Sequence, residues 1–189
     1  MQNVYELAVA LEALTATNPV VIVAIDGCGG AGKSTLAALL CEHWEGSAVV
    51  HTDDFASWEE PLNWWPRLLH EVLEPLARGE NATFQKYDWV ERRLNHWETI
   101  ASKRVILEGV SSSRREFRPY LAYSIWIETS RQERLRRGLE RDGQDAIDLW
   151  HGWMAAEDSY VADHHPRGHA NLILDGEDAF RFMGSPGQI

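Results

Sequence analysis

Val20-Val21-Ile22-Val23-Ala24-Ile25 runs, one residue later, into Gly27-Cys28-Gly29-Gly30-Ala31-Gly32-Lys33-Ser34-Thr35. The first stretch is apolar, mostly β-branched and without alternation, the pattern of a strand buried on both faces of a parallel sheet. The second matches G-x-x-x-x-G-K-[ST] at every fixed position, and Thr35 extends it. Glycines there let successive backbone N–H groups turn inward toward an anion. A helix starting near Lys33 adds the positive end of its dipole. Strand, glycine-rich turn and helix together predict a phosphate cradle, with Lys33 as the mobile charge and the Ser34 hydroxyl as an Mg²⁺ ligand.

Outward from that unit the same theme repeats. Ala48-Val49-Val50-His51, Val105-Ile106-Leu107, Tyr123 to Ile127 and Ala170 to Leu174 read as further strands. Helical spacing covers Val4 to Leu14, the stretch through Leu36, Leu39 and Leu40, Arg67 to Ala77, Arg131 to Arg141 and Asp145 to Val161. Strands alternating with helices predict an α/β fold with a parallel sheet. The end, Gly184-Ser185-Pro186-Gly187, reads as frayed.

At 189 residues the chain reads as one domain. Eighteen basic against 29 acidic residues leave a net charge of −11, which disfavours nonspecific binding of nucleic acid or anionic lipid. Two cysteines, Cys28 and Cys41, supply neither a disulfide framework nor a zinc-finger set. No stretch has the length of a membrane span or the pattern of a signal peptide, so a cytoplasmic protein is expected. Composition leaves the oligomeric state open.

Three features bear on chemistry. Asp53 and Asp54 directly follow the second strand, where a carboxylate can take a proton from a substrate hydroxyl or hold Mg²⁺ through water; Asp53 is the first choice as base, with Asp54 left open. Glu108-Gly109 ends the third strand and suits a partner of Mg²⁺. Arg134, Arg137 and Arg141 share one helix face, from which guanidinium groups could clamp a transferring phosphoryl group; the same arginines could simply pair with Glu133 and Glu140. Asp142-Gly143 then offers a hinge for a lid over about residues 134–150.

These segments together resemble the P-loop nucleoside and nucleotide kinases, most of all the uridine-kinase-like family. The resemblance rests on Gly27 to Thr35, Asp53-x-Phe55, Tyr87-Asp88-Trp89, Ile106-Leu107-Glu108-Gly109 and Arg134-Leu135-Arg136-Arg137 through Arg141-Asp142. It implies a three-layer α/β/α P-loop NTPase fold with a five-stranded parallel sheet and a helical arginine lid. It implies ATP-Mg²⁺ as donor and a small hydroxyl compound as acceptor. Lys33, Asp53, Arg137 and Arg141 would be catalytic, and Ser34, Asp53 and Glu108 would serve the metal. Tyr87, Asp88, Trp89 and Arg92 would line the acceptor site, covered by a segment over about residues 54–98. Asn63-Trp64-Trp65-Pro66 carries no carboxylate where such kinases have one, and Arg92 stands in place of a histidine.

The nine tryptophans include Trp58, Trp64, Trp65 and Trp89 in that covering segment, as stacking walls or as a small core. Arg92-Arg93 or Ser111-Ser112-Ser113-Arg114-Arg115 could read an anionic acceptor. His164, His165 and His169 flank a turn and are read as a surface loop rather than a metal site. A kinase for a non-nucleoside or a nucleoside monophosphate, and a regulatory NTP-binding module without an acceptor, stand as competing readings.

Overall fold

The computed structural model describes residues 4–14, 17–57, 62–178 and 180–184. Trp58 and the tail from Ser185 lie outside the described residues.

Its centre is a six-stranded sheet of β1 (Val21–Asp26), β2 (Ser47–His51), β5 (Arg104–Glu108), β6 (Tyr123–Glu128), β7 (Leu172–Asp175) and β8 (Arg181–Gly184), in the order β2-β5-β1-β6-β7-β8. The first five run parallel, as the sequence predicts. The sixth, β8, pairs antiparallel with β7 at the edge, so Gly184 belongs to a strand rather than to a frayed end. The strand expected over 170–174 sits two residues later at its start, at Leu172.

The unalternating apolar run of β1 has a direct cause. Val20 and Ile22 pack into one apolar cluster, with helix α3 (65–77), Phe55, Phe84 and Phe117. Val23 and Ile25 pack into the other, with α1 (Val4–Glu12) and α2 (Lys33–His43). All four residues are at most 2% exposed, so each face of the strand is solvent-free. Two further helices, α4 (Arg131–Asp142) and α5 (Ile147–His164), and the short α6 (Pro166–His169) complete the layers.

Helix α3 is regular except over Leu69–Leu73, where the Glu74 N–H reaches back five residues to the Leu69 carbonyl. Pro75 follows immediately. A proline ring crowds the carbonyl four residues earlier, and the wide turn makes room for it.

The segment expected to cover the acceptor holds an element that the sequence reading lacks. Strands β3 (Ala82–Asp88) and β4 (Arg93–Ile100) form an antiparallel hairpin separate from the main sheet. It is tied down by Arg67, which bonds the Gln85 carbonyl and Glu71, and by Lys86, which lies 3.3 Å from Asp54 and 2.5 Å from Glu98. No described helix is long and apolar enough to cross a membrane.

Candidate active site

The sheet register brings three strand ends together. Glu108 of β5 lies opposite Ile25 of β1 on one side and His51 of β2 on the other. Ligand crevices of open α/β sheets lie outside such carboxyl ends. The 27–35 loop springs from β1 there, and α2 begins at Lys33 after Gly32, which adopts φ 104°.

A buried carboxylate absent from the sequence reading anchors the loop. Asp26 is fully buried and accepts five hydrogen bonds: from the Gly27 N–H (2.7 Å), the Ser111 N–H (3.1 Å), the Ser113 N–H (2.9 Å) and hydroxyl (2.6 Å), and the Tyr160 hydroxyl (2.5 Å). It welds the loop to the 109–117 segment and to α5. Burial and the Asp26 charge push the Tyr160 hydroxyl well above the ordinary tyrosine range, so Tyr160 stays a donor.

The chemistry-bearing groups face one cleft of about 1070 Å³, enough for a nucleotide-sized ligand and a partner. Lys33 donates to the Cys28 carbonyl at 3.1 Å, and the Ser34 hydroxyl lies 3.2 Å from Glu108 Oε1. Glu108 Oε2 meets His51 Nδ1 at 2.7 Å. Burial raises the Glu108 pKa, but the His51 hydrogen bond, the Lys33 charge and the Ser34 hydroxyl outweigh it and hold the group below its usual range. The bond to Glu108 raises His51 above its ordinary value against the opposing effect of burial. Gly109 follows, with φ 140°; a Cβ there would lie 1.8 Å from Thr52 Oγ1, so only glycine allows the β2 and β5 ends to meet so closely.

Asp53 lines the cleft, open to its solvent, whereas Asp54 is drawn away by Lys86. The cleft walls crowd Asp53 and strip part of its water, which raises its pKa, aided by Glu108 and opposed by Lys33, His51 and Arg141. A carboxylate so shifted is a better proton acceptor.

The arginines divide. Arg137 lines the cleft, bonding the Gly30 carbonyl (3.2 Å), the Gly176 carbonyl (2.9 Å) and Glu133 (2.7 Å). Arg141 also lines it, exposed and paired with Asp142 (2.7 Å). Arg136 pairs with Glu133 and Glu140 on the outer face. Arg134, sequence-spaced to join the clamp, is instead 7% exposed and bound to Glu157 of α5 at 3.0 Å and to the Thr129 carbonyl at 3.3 Å. The other Glu157 oxygen accepts the Gly29 N–H at 2.7 Å. Gly30 packs so tightly below that a Cβ would lie 2.7 Å from the Arg134 carbonyl oxygen. Arg134 is therefore a rivet between lid and loop; its neighbours on α4 are the ones free to face the cleft. Nothing local in the sequence connects residue 29 to residue 157.

Of the expected acceptor residues, Trp89 lines the cleft and Tyr87, Asp88 and Arg92 do not. Tyr87 stacks edge-on against Trp89 at 5.2 Å and backs it from behind. Asp88 accepts the Val90 and Glu91 N–H groups (2.9 and 2.8 Å) and shapes the hairpin turn, in which Arg92 adopts φ 51°. His164, in turn, accepts the Arg115 N–H at 3.2 Å. Among the described residues no group of three His, Cys, Asp or Glu side chains forms a metal cage. Mg²⁺ needs none: it keeps waters and takes one or two protein oxygens beside substrate phosphates. Ser34, Glu108 and Asp53 supply such oxygen donors.

No family model and no curated protein matches the sequence. Solved structures do. One from Bacillus stearothermophilus, assigned as a possible uridine kinase, is 20% identical with a TM-score of 0.67, over 90% of this chain and 96% of that one. Another, assigned as a fructose transport system kinase of Silicibacter sp. TM1040, is 19% identical with a TM-score of 0.66, over 87% of this chain and 96% of that one. The chain has the P-loop kinase fold. The loop 27–35 is its P-loop, α4 and the start of α5 occupy the place of the expected arginine lid, and the five parallel strands are the expected sheet, with β8 as a sixth, antiparallel strand.

Proposed function

We propose that this protein is a small-molecule kinase that moves the γ-phosphoryl group of ATP to an alcohol. One observation carries the reading: a P-loop with Lys33 and Ser34 in place, a strand-end carboxylate bonded to that serine, and a second carboxylate, Asp53, share a single cleft with Arg137 and Arg141. A P-loop alone binds nucleotide; a cleft carboxylate with a raised pKa gives an acceptor hydroxyl somewhere to lose its proton.

In this reading the amides of residues 27–35 cradle the phosphates. Lys33 and the lid arginines Arg137 and Arg141 neutralise charge on the phosphoryl group as it leaves ADP. Ser34, with Asp53 and Glu108 directly or through water, holds Mg²⁺, which when bound draws charge from the phosphate oxygens. His51 keeps Glu108 ionised and oriented toward Ser34. The acceptor oxygen forms the new bond to phosphorus, the bond to the β–γ bridging oxygen breaks, ADP departs and the hydroxyl proton passes to Asp53. Rate comes mainly from positioning and charge neutralisation. The resemblance noted above points to a nucleoside-like acceptor. Its other acceptor-side residues, Tyr87, Asp88 and Arg92, lie off the cleft, so the described cleft walls must carry the choice.

ADP release across a panel of alcohols tests the reading. An active acceptor raises the rate in the native protein and not in Lys33→Ala, which gives up one hydrogen bond, to the Cys28 carbonyl. Equal turnover in both proteins would end it.

A further inference from the structure

We infer that the acceptor is an uncharged alcohol whose body is apolar or aromatic, and that nucleotides, phosphorylated sugars and hydroxy acids are rejected. The inference rests on the kinase reading and concerns the part of the cleft beyond the P-loop.

The charge of that part is one-sided. Lys33, Arg137 and Arg141 are the only cations among the described residues that line the cleft. All three belong to the donor end: Lys33 is in the P-loop itself, Arg137 grips the P-loop and Gly176 carbonyls, and Arg141 stands beside Asp142 on the lid. Two carboxylates, Asp53 and Glu108, line the same cleft. Of the four arginines that the sequence offers for an anionic acceptor, Arg92 does not line the cleft and the other three are bonded elsewhere. Arg114 is 7% exposed, bonded to Glu116 at 2.9 Å and to the Leu62 carbonyl at 3.1 Å, with its guanidinium 4.8 Å from the Trp65 ring. Arg115 bonds the Asp163 carbonyl at 2.7 Å, and Arg93 pairs with Glu91 at 2.6 Å. Trp58-Glu59-Glu60-Pro61 include no basic side chain. A phosphate or carboxylate entering here would be dehydrated beside like charge with no partner.

The walls themselves are apolar. Leu62, Trp64, Trp89, Val110, Leu149 and Trp153 line the cleft, and Leu149 remains 37% exposed. No Asn, Gln, His or Tyr lines it among the described residues, so no side-chain amide or imidazole there reads the edge of a base. What these walls select for is flat or aliphatic surface, which stacks on indole and leaves nothing polar unpaired.

The test uses matched acceptors with the full-length protein. ATP-Mg²⁺ binding is first measured by calorimetry without acceptor. ADP release is then followed with benzyl alcohol and 2-phenylethanol, each against its ring-carboxylated counterpart, and with uridine against glycerate. The uncharged aryl alcohols should stimulate release, and each carboxylated partner should show at least a thirtyfold lower kcat/KM. Leu62→Arg should narrow that gap tenfold or more, while Leu62→Met should leave it. Carboxylated and uncharged partners within threefold of each other, or release stimulated by acids alone, would overturn the inference and leave the kinase reading standing. ATP binding with no release by either aryl alcohol, even if uridine is active, would overturn it as well. Absence of ATP binding would remove the kinase reading and this inference with it.

Discussion

Replacing Glu157 with alanine strips two donors, one buried and one half-buried, of their shared acceptor. Arg134 Nη1, 3.0 Å away, loses its counter-ion, and the Gly29 N–H, 2.7 Å away, loses the carboxylate it donates to. Both charged residues are at most 7% exposed, so water cannot step in cheaply. Breaking a buried ion pair from one side costs about 3–5 kcal/mol because a lone charge stays behind. An unmade buried N–H bond costs about 1–3 kcal/mol and falls within, rather than on top of, that range once the site relaxes. For a chain of this length each kcal/mol moves the melting point by about 2–4 °C, so Glu157→Ala should melt about 6–20 °C below the native protein. The double variant Arg134→Met with Glu157→Leu should recover most of that loss, since neither charge is stranded. Thermal unfolding followed by circular dichroism, without nucleotide, reads both. A drop below about 3 °C for the single variant, or a double variant no more stable than the single one, would refute the rivet.

Three further outcomes follow from the same geometry. Gly138→Ala should destabilise by about 1–3 kcal/mol in urea, although alanine is the better helix former, because its Cβ would lie 2.3 Å from the Trp150 ring; a stabilised variant would contradict that packing. His51 has a raised folded pKa, so its contribution is fully present below its unfolded value near 6.5 and fades as pH rises through the folded value; Glu108, lowered, contributes above its own unfolded value and down to the depressed one. The stability gap between native protein and His51→Gln should therefore be wider at pH 6 than at pH 9, and modest because the imidazole is 43% exposed. Cys28 has its pKa pushed up to about 12, by burial first and by Glu157 next, so iodoacetamide at pH 8 should label Cys41 well ahead of Cys28, as resolved by peptide mass mapping; equal rates would contradict the assignment.

What the chain discloses by local pattern and what it conceals separate along a physical line. The P-loop and the five parallel strands are written in contiguous residues: a β-branched run, fixed glycines, then a lysine and a serine. Asp53 and Glu108 are legible because both sit at strand ends, where topology puts the crevice. Asp26, Tyr160 and Glu157 are not, since their roles arise from contacts spanning more than a hundred residues. The hairpin hides for another reason. Strand β4 is exposed along most of its length and carries no alternating apolar face, so period-two reasoning finds little to hold. Its absence from the sequence reading left Asp88 to be assigned by resemblance alone, with no sign of its turn chemistry, the bonds it accepts from two N–H groups just ahead. Arg134 shows the limit of helical spacing: three residues can share a face while only two of them look into the cleft.

Isothermal titration of the native protein with ATP in the presence of Mg²⁺, repeated with Lys33→Ala, bears most directly on the central claim. The account predicts one saturable site in the native protein and a large loss of affinity in the variant at unchanged melting temperature. A native protein that takes up no heat, or a variant that binds as tightly as the native chain, would contradict it.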